Sequence, residues 1–348
     1  MTRIGIVGVG FMGMTHYRAY RNAPGATVTA ICEKIEKRRL GDWTDIQGNF
    51  GPRGEMMDLS GVAAYAQLDD LLADDSIDLV DICLPPAAHC EAVLKSLDAG
   101  KHVLCEKPLA LTVADAQRMA TAAKAAGRLL MVGHVLPFFP EFAFAHEAVS
   151  SGRYGKPLGG HFKRVTADPT WLSHYWDPDI IGGPLLDLHI HDAHFIRLLY
   201  GMPVAVTTQG RFRGEMVEYF SSQFAFEDPS LVVTAASGAI NQQGRQFTHG
   251  YEMHFERATL QFDLAVMADK TEVLPATVIL NDDGGKVERP ELGDGDPVRA
   301  FDIEMAEVVK AVESNAIPPM LRPELAVDAI RLCYKETESA RLRRTVEI

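Results

Sequence analysis

Two short runs of polar residues have the residue types needed to move a proton and to hold a hydroxyl group. The first is Glu106-Lys107-Pro108, which follows a short apolar segment. Pro108 fixes its own φ angle and restricts Lys107 to an extended conformation. The lysine could then polarise a substrate oxygen or serve in a proton relay. A surface lysine paired with its neighbouring glutamate explains the same residues equally well.

The second run extends from Gly182 to Asp192 and contains Asp187 and His191. These two residues are four positions apart, so they share one face of a helix or helical turn. A histidine with a pKa of roughly 6.5 can take or return a hydroxyl proton at neutral pH, and a nearby carboxylate can orient it. The alternative is that Asp187 caps the helix and that His191 is a buried structural residue.

A metal site is a further interpretation of this run, because His189 and His194 lie close by. A zinc site needs several side chains that converge within about 2.0–2.2 Å of the ion. The histidines point around a helix, and no two of them are separated by three residues. We therefore predict acid–base chemistry and no metal.

Aromatic residues cluster just before this run, at Trp171, Tyr175 and Trp176. Aromatic faces suit the apolar faces of a sugar ring, and indole N–H groups can bond hydroxyls. We expect Trp171 and Trp176 to contact a sugar-like substrate, although a core cluster explains them nearly as well.

A glycine motif, Gly8-x-Gly10-x-x-Gly13, follows a strand-like segment at residues 3–7 and opens a helix, which is the setting of a dinucleotide-binding turn. Gly8 would allow the turn, Gly10 would let the backbone approach a pyrophosphate, and Gly13 would allow helix and strand to pack closely. The start of the helix, with Phe11 and Met12, would offer amide groups to the phosphates.

Glu33 stands at the end of the second predicted strand, about 20 residues beyond the last glycine of the motif, where an acidic residue receives the adenosine ribose. A carboxylate there favours NAD and repels the 2′-phosphate of NADP. Nearby cations, among them Lys34 and Arg38, could instead hold that phosphate, or could simply be a solvated helix start. We predict NAD, with NADP as the alternative, and place all three residues in the cofactor site.

A proline turn, Leu84-Pro85-Pro86, ends the fourth predicted strand and cannot continue the sheet. Ligands of open parallel sheets bind beyond the carboxyl ends of the strands. We therefore expect Leu84, Pro85 and the following His89 to lie at the level of a nicotinamide ring. His89 could also simply cap the next helix.

The elements that must position these residues change character near residue 133. Before it, apolar strands alternate with helices, which indicates a parallel sheet covered on both faces. The predicted strands are residues 3–7, 27–32, 79–84, 103–105 and 129–132, and the predicted helices are 12–21, 68–73, 89–99 and 113–126. Residues 47–61 are rich in glycine and read as a loop or insertion.

After residue 133, successive strands with few helices between them favour an antiparallel or mixed sheet. The predicted strands are 204–212, 219–226, 231–239, 252–255, 259–264 and 277–280, and the predicted helices are 141–150, 188–200, 300–313 and 323–340. We therefore predict an α/β protein with a Rossmann NAD-binding domain at residues 1–132. Residues 133–348 would form a substrate-binding and oligomerisation domain.

The bulk composition agrees with two domains and excludes several partners. The chain has 348 residues, more than a single core of roughly 250–300 residues usually accommodates. Its net charge of −13 makes nucleic acid and anionic membranes poor partners. Five scattered cysteines without a C-x-x-C pair, the absence of a secretory signal and the absence of a long apolar stretch predict a cytoplasmic protein.

Over nearly its whole length the sequence resembles the glucose–fructose oxidoreductase, inositol dehydrogenase and rhizopine catabolism (Gfo/Idh/MocA) family. Four motifs carry the resemblance: Gly8-x-Gly10-x-x-Gly13 with His16, Leu84-Pro85-Pro86-x-x-His89, the run from Ala99 to Glu106-Lys107-Pro108, and Gly182-Gly183-x-x-x-Asp187-x-x-x-His191. The third and fourth motifs are specific only in combination.

The resemblance implies an NAD(P)-dependent oxidoreductase that moves hydride between nicotinamide C4 and the carbinol carbon of a sugar, inositol or related polyol. Glu106 and Lys107 would contact the cofactor, with Lys107 orienting both substrate and nicotinamide ribose. Asp187 would bind a substrate hydroxyl and His191 would be the acid–base. The C-terminal α+β domain would carry a large open, mainly antiparallel sheet that packs in homodimers or homotetramers.

The sequence departs from the family pattern in three places. Pro137 stands where an arginine is often found, close to His134, a candidate substrate contact. His194 stands where an aspartate is frequent, and residues 47–61 form a longer segment than usual. These departures leave the substrate open. Two alternatives to a dehydrogenase also remain: a redox-neutral sugar-converting enzyme with tightly bound NAD, and a non-catalytic NAD-sensing protein.

Overall fold

A computed structural model describes the whole chain except residues 49, 171, 173, 282, 283 and 294. It divides into two compact units. The first comprises Met1–Phe139 and Asp296–Val327, and the second comprises Pro140–Gly295 and Asp328–Ile348. The sequence assigns all of residues 133–348 to the second domain, whereas in the structure residues 296–327 belong to the first unit.

The described strands and α-helices follow one another along the chain as the sequence pattern suggests, with some additions. The strands are β1 (Thr2–Val7), β2 (Ala26–Cys32), β3 (Ala63–Tyr65), β4 (Leu79–Ile82), β5 (His102–Glu106), β6 (Leu130–Gly133), β7 (Pro157–Ala167), β8 (Ala205–Arg213), β9 (Met216–Ala225), β10 (Val232–Ile240), β11 (Arg245–Phe255), β12 (Ala258–Met267), β13 (Thr271–Leu280), β14 (Val287–Glu288) and β15 (Val346–Glu347). The helices are α1 (Phe11–Tyr20), α2 (Glu36–Arg39), α3 (Leu68–Leu72), α4 (His89–Asp98), α5 (Val113–Ala126), α6 (Pro140–Ser151), α7 (Ile190–Tyr200), α8 (Val298–Ser314) and α9 (Pro323–Leu342).

The first unit contains a six-stranded parallel sheet in the order β3-β2-β1-β4-β5-β6. This is the strand order of a Rossmann fold, in which the cofactor site lies beyond the carboxyl ends of the strands. The prediction of a Rossmann domain is therefore confirmed. The carboxyl ends of β1, β4, β5 and β6 all lead into segments named above as candidate site residues.

Helix α8 joins the first unit because its apolar face completes that unit's core. Phe301, Met305 and Val308 are buried in the same cluster as Ile4 of β1 and Met14 of α1. The sequence shows that α8 is amphipathic, but it does not show which sheet the apolar face covers. This accounts for the difference from the predicted domain boundary.

The second unit contains a nine-stranded sheet in the order β14-β13-β12-β11-β7-β10-β9-β8-β15. Strands β7 and β10 run parallel, and the other pairs are antiparallel. The predicted large, mainly antiparallel sheet is confirmed. Aromatic residues of α6, α7 and the sheet pack edge to face beneath it, among them Phe142 with Phe195 at 5.2 Å and with Tyr251 at 5.3 Å between ring centroids.

Strand β7 lies in the middle of this sheet, although the sequence pattern did not identify it as a strand. Gly159 and Gly160 interrupt its apolar pattern, and Arg164 puts a charge at a buried position. A Cβ at Gly159 would lie 2.0 Å from the carbonyl oxygen of Val232, so glycine is needed for the close approach of β10.

Within the described part of the chain, no helix is long and apolar enough to cross a membrane.

Candidate functional site

The glycine turn after β1 has the geometry that a dinucleotide site needs. Gly8 has a φ angle of 92°, and a Cβ there would lie 2.8 Å from the carbonyl oxygen of Cys83. A Cβ at Gly13 would lie 2.0 Å from the carbonyl oxygen of Gly8. At Gly10, by contrast, a Cβ would meet no atom of the described residues within 4 Å. Gly10 therefore faces open space that a pyrophosphate can enter.

Helix α1 begins directly after Gly10, which is its N-cap residue and offers no side-chain cap. The first amide groups of a helix lack partners within the helix and attract phosphate oxygens. Phe11 packs edge to face against Phe50 at 4.8 Å, and Met12 is half-buried against the core. These side chains are engaged in packing, so the contribution predicted for Phe11 and Met12 would come from their backbone amides.

The Glu33 carboxylate is held at the glycine turn by two backbone amides. One oxygen accepts from the Val9 N–H at 2.7 Å and the other from the Ile35 N–H at 2.8 Å. Only 9% of Glu33 is exposed. The side chain is therefore fixed beside the glycine turn, while the neighbouring Lys34 is exposed.

The proline turn after β4 is tied to the segment after β5 by His89. This buried ring places Nε2 2.7 Å from the Leu84 carbonyl oxygen and Nδ1 2.9 Å from the Pro108 carbonyl oxygen. Burial lowers the pKa of His89, although the two carbonyl groups act in the opposite direction. His89 positions both loops through their backbones and is not a helix cap. Leu84 is half-buried and Pro85 is exposed.

Lys107 is the half-buried residue in a segment whose neighbours, Glu106 and Pro108, are buried. One Glu106 oxygen accepts from the Lys107 backbone N–H at 3.1 Å, and the other lies 3.1 Å from Nε2 of His16. The peptide bond between Lys107 and Pro108 is cis. Glu106 therefore fixes the backbone from which the Lys107 side chain extends.

His16 stands at the centre of a buried polar network below the glycine turn. Its Nδ1 lies 2.9 Å from an Asp81 oxygen and 3.4 Å from Cys83 Sγ. Burial alone would lower the pKa of His16, but Cys83 and the Asp81 carboxylate raise it well above its ordinary value. The protonated ring can then donate to Asp81 and to Glu106. Sequence reasoning named His16 only as part of a motif and missed Asp81, whose signal is a charge inside an apolar strand.

The ligand-type atoms of His16, Asp81 and Cys83 lie within 4.8 Å of one another. A hydrogen bond explains the shortest separation, and burial raises the pKa of the Cys83 thiol. Metals bind the thiolate rather than the thiol. We therefore describe the cluster as a hydrogen-bonded network, and the absence of a metal stays a prediction.

Asp187 and His191 of the second unit keep accessible surface in a stretch that is otherwise buried. Across residues 183–196, these two are half-buried and all others are buried. Asp187 lies in a π-helical turn, Leu185–His189, that leads into α7, and such turns often occur at functional sites. The helical placement predicted for the pair is observed.

The other polar residues of this segment have structural partners. His189 is fully buried, with Nε2 3.0 Å from Glu336 and its ring edge-on to Phe220 at 4.8 Å. Asp192 accepts two hydrogen bonds from the Arg164 guanidinium at 2.9 and 3.0 Å. His194 is also fully buried. This leaves Asp187 and His191 as the residues of this segment that can reach a ligand.

The structure limits what the remaining candidate substrate residues can do. The Trp176 indole N–H donates to Asp168 at 2.9 Å, and the Arg213 guanidinium lies 3.9 Å from the ring centroid. One ring face and the N–H group are therefore engaged. His134, after β6, is 1% exposed. Trp171 lies outside the described residues.

Comparisons with known proteins agree with this description. Residues 2–134 match the model of an oxidoreductase family with an NAD-binding Rossmann fold, and residues 142–261 match the GFO/IDH/MocA C-terminal domain. Myo-inositol 2-dehydrogenase of Thermotoga maritima is 29% identical over 99% of this chain and 98% of its own. The 1,5-anhydro-D-fructose reductase of Ensifer adhaerens is 29% identical over 73% of this chain and 75% of its own.

Solved structures share the fold at lower identity. A levoglucosan dehydrogenase in complex with NADH has a TM-score of 0.82 and 21% identity, covering 100% of this chain and 99% of its own. An aldose-aldose oxidoreductase from Caulobacter crescentus has a TM-score of 0.80 and 21% identity, covering 100% of this chain and 99% of its own.

Proposed function

We propose that this chain oxidises a secondary hydroxyl of a sugar, inositol or related polyol, or reduces the corresponding ketone. The premise is that the chain belongs to the Gfo/Idh/MocA family of NAD-binding oxidoreductases. One observation carries the proposal. In the buried stretch of residues 183–196, a carboxylate and an imidazole one helical turn apart are the groups that keep accessible surface. The names of two relatives, an inositol dehydrogenase and an anhydrofructose reductase, support a ring hydroxyl as the reacting group.

The first unit would hold the cofactor with its backbone. Gly10 leaves room for the pyrophosphate, the amide groups at the start of α1 bind it, and Glu33 receives the adenosine ribose hydroxyls. NAD supplies the hydride acceptor or donor at nicotinamide C4. Arg38 and Lys34 flank the ribose end of this site, and the turn containing Leu84 and Pro85 lies at the nicotinamide end.

Three side chains would act on the substrate. His191 takes the hydroxyl proton as the alcohol becomes a ketone and returns it in the reverse direction. Asp187 accepts a hydrogen bond from a second substrate hydroxyl and so fixes the ring. Lys107 donates to the reacting oxygen and to the nicotinamide ribose, with its backbone held by Glu106. We propose Trp171, Trp176 and His134 as further substrate contacts.

A panel of inositols, aldoses and anhydro sugars with NAD, followed by NADH absorbance at mildly alkaline pH, tests the proposal. NADH formed with one or a few polyols is the expected result. The variant Lys107→Met should lose most of the turnover and should weaken NADH binding to a smaller extent, because the side chain contacts both the substrate and the nicotinamide ribose in the proposed site. NADP, tested beside NAD, should be the poorer cofactor.

A redox-neutral reaction with tightly bound NAD is the second candidate, favoured by the structural likeness to an aldose-aldose oxidoreductase. It predicts stoichiometric cofactor in the purified protein, conversion of sugars and no release of NADH. Binding of NAD without conversion of any sugar would instead fit a non-catalytic NAD-sensing protein and would contradict the proposal.

We also propose a homodimer or homotetramer formed through the nine-stranded sheet, and a cytoplasmic location. Exposed apolar residues of the sheet, such as Val232 and Val273 at 57% and 54% exposure, support the first. Five free cysteines without a disulfide support the second. Light scattering that gives the mass of a monomer would contradict the oligomer.

A further inference from the structure

We propose that Asp45 sets the preference for NAD over NADP by occupying the two cations, Lys37 and Arg38, that would otherwise bind the 2′-phosphate. The inference deepens the proposed function at its cofactor site. It depends on the NAD site of the first unit and not on the identity of the substrate.

Arg38 forms a hydrogen bond with Val9, the same residue that donates to the carboxylate of Glu33. The Glu33 carboxylate accepts from the Val9 N–H at 2.7 Å, and the Arg38 guanidinium donates to the Val9 carbonyl oxygen at 3.1 Å. Both side chains therefore converge on one residue of the glycine turn, Val9. If Glu33 receives the adenosine ribose as proposed, a phosphate on that ribose would come within reach of the guanidinium.

Asp45 pairs with two cations of α2, Arg38 and Lys37. Its Oδ2 accepts from Arg38 at 3.0 Å and lies 3.1 Å from Lys37 Nζ, and its Oδ1 lies 3.4 Å from Arg38 Nε. The two cations lower the pKa of Asp45 to about 2, so it is ionised throughout the working range. One carboxylate thus offsets much of the positive charge of two side chains.

The segment that carries Asp45, residues 42–46, is bonded to helix α2, and these bonds hold Asp45 next to its two cationic partners. Trp43 is fully buried, and its indole N–H donates to the Arg38 carbonyl oxygen at 2.7 Å. The Asp42 N–H donates to the Lys37 carbonyl oxygen at 2.9 Å. Two bonds therefore join the residues around Asp45 to helix α2 itself.

Charge explains the expected discrimination. The 2′-phosphate carries roughly −1.5 to −2 charges at neutral pH, like other phosphate monoesters. With Asp45 ionised, that phosphate is repelled by the carboxylates of Glu33 and Asp45. The nearby cations attract it only weakly, because they already have an anionic partner. Replacing Asp45 with a neutral residue removes one repulsion and releases donors of Arg38 and Lys37 for the phosphate.

The test measures the dissociation constants of NADH and NADPH, without substrate, by titration of nicotinamide fluorescence. Asp45→Asn should tighten NADPH binding by roughly 3- to 10-fold, which is the upper range for one exposed charge pair or slightly beyond it. NADH binding should change by less than about twofold, because NADH lacks the phosphate. The ratio of kcat/KM for NADP to that for NAD should rise in parallel.

Two variants serve as controls. Asp58 is an exposed aspartate that also lies between α2 and β3, and it accepts a hydrogen bond from the Ser60 N–H. Asp58→Asn removes one negative charge and should leave both dissociation constants unchanged. Adding Arg38→Gln to Asp45→Asn should remove most of the gain, because Arg38 is the freed cation that is also bonded to Val9 beside Glu33. If Asp45→Asn fails to fold, Asp45→Ser gives the same comparison.

Unchanged NADPH affinity in a folded Asp45 variant would overturn the proposal, as would an equal gain from Asp58→Asn. A full gain that persists in the double variant would overturn the assignment to Arg38. The binding titrations contain no substrate. A negative result in them therefore leaves the dehydrogenase proposal standing, and an absence of polyol turnover leaves the Asp45 proposal standing.

Discussion

At the scale of single residues, the exposure of a side chain relative to its neighbours distinguishes the residues proposed for catalysis from those with structural contacts. Lys107, Asp187 and His191 are each half-buried between buried neighbours. His89 and His189, in contrast, are fully buried. His89 contacts two carbonyl oxygens, and His189 contacts a glutamate. A proton donor must reach the substrate, so accessibility decides between chemically equivalent histidines.

Replacement of His191 tests its assignment directly. We expect His191→Asn to lower kcat by about 10²–10⁴, the usual contribution of general acid–base catalysis, with NADH affinity unchanged. Steady-state kinetics with the best substrate of the panel and fluorescence titration of NADH give the two quantities. His254→Asn, at a histidine of the same unit whose side chain is 51% exposed, is the control. A wild-type rate in His191→Asn would remove the residue from the mechanism.

The His16 network makes a prediction about pH and stability. The pKa of His16 is raised in the folded protein. The protonated ring therefore contributes fully to stability below the unfolded-state pKa of roughly 6.5, and this contribution is lost as the pH rises through the folded-state pKa. Between these two pKa values, the free energy of unfolding of the wild type should fall with rising pH more steeply than that of His16→Gln. The difference between the two slopes should reach up to about 1.4 kcal/mol per pH unit.

Urea denaturation between pH 6 and 9 measures the difference for His16. The exposed His174→Gln should follow the wild-type slope. Parallel slopes for the wild type and His16→Gln would show that His16 is neutral in the folded protein.

At the scale of secondary-structure elements, α8 illustrates how a distant segment completes a core. Phe301 is 3% exposed and stacks on Phe50 with ring centroids 5.4 Å apart, and Phe50 in turn packs against Phe11 of α1. Phe50, which lies in the segment of residues 47–61, thereby packs against the helix that begins at the glycine turn. The long segment that departs from the family pattern thus has a structural role in the first unit.

Truncation of Phe301 should therefore be costly for the first unit. We expect Phe301→Ala to lower the free energy of unfolding by about 3–5 kcal/mol, the usual effect of removing a buried phenyl ring. Ile303→Ala, at a residue of the same helix that is 46% exposed, should change it by less than about 0.5 kcal/mol. Equal effects in chemical denaturation would show that α8 does not pack as described.

At the scale of the whole molecule, the sequence predicted the features that depend on local pattern. The glycine turn, the parallel sheet and the bounds of α5 at Val113–Ala126 follow from apolar periodicity and from glycines at fixed spacing. Strand β7 was missed because the close approach at Gly159 and the buried Arg164–Asp192 pair depend on neighbours far along the chain. The return of α8 to the first unit has the same cause.

The candidate site was predictable to a similar depth. Glu33, Lys107, Asp187 and His191 were named from spacing and from resemblance. The assignment of Glu33 to cofactor binding and of the other three residues to catalysis stays a prediction. Asp45 has no sequence signal, because its pairing with Arg38 exists only once the segment anchored by Trp43 has folded.

The most direct test of the central claim follows the hydrogen itself. The best polyol of the panel, deuterated at the carbon of its reacting hydroxyl, is incubated with the enzyme and NAD, and the mass of the reduced cofactor is measured. We predict that the reduced cofactor carries one deuterium at nicotinamide C4 and that the Lys107→Met variant forms little of it. Reduced cofactor without deuterium, or a product formed without any reduced cofactor, would contradict net hydride transfer from the polyol to NAD.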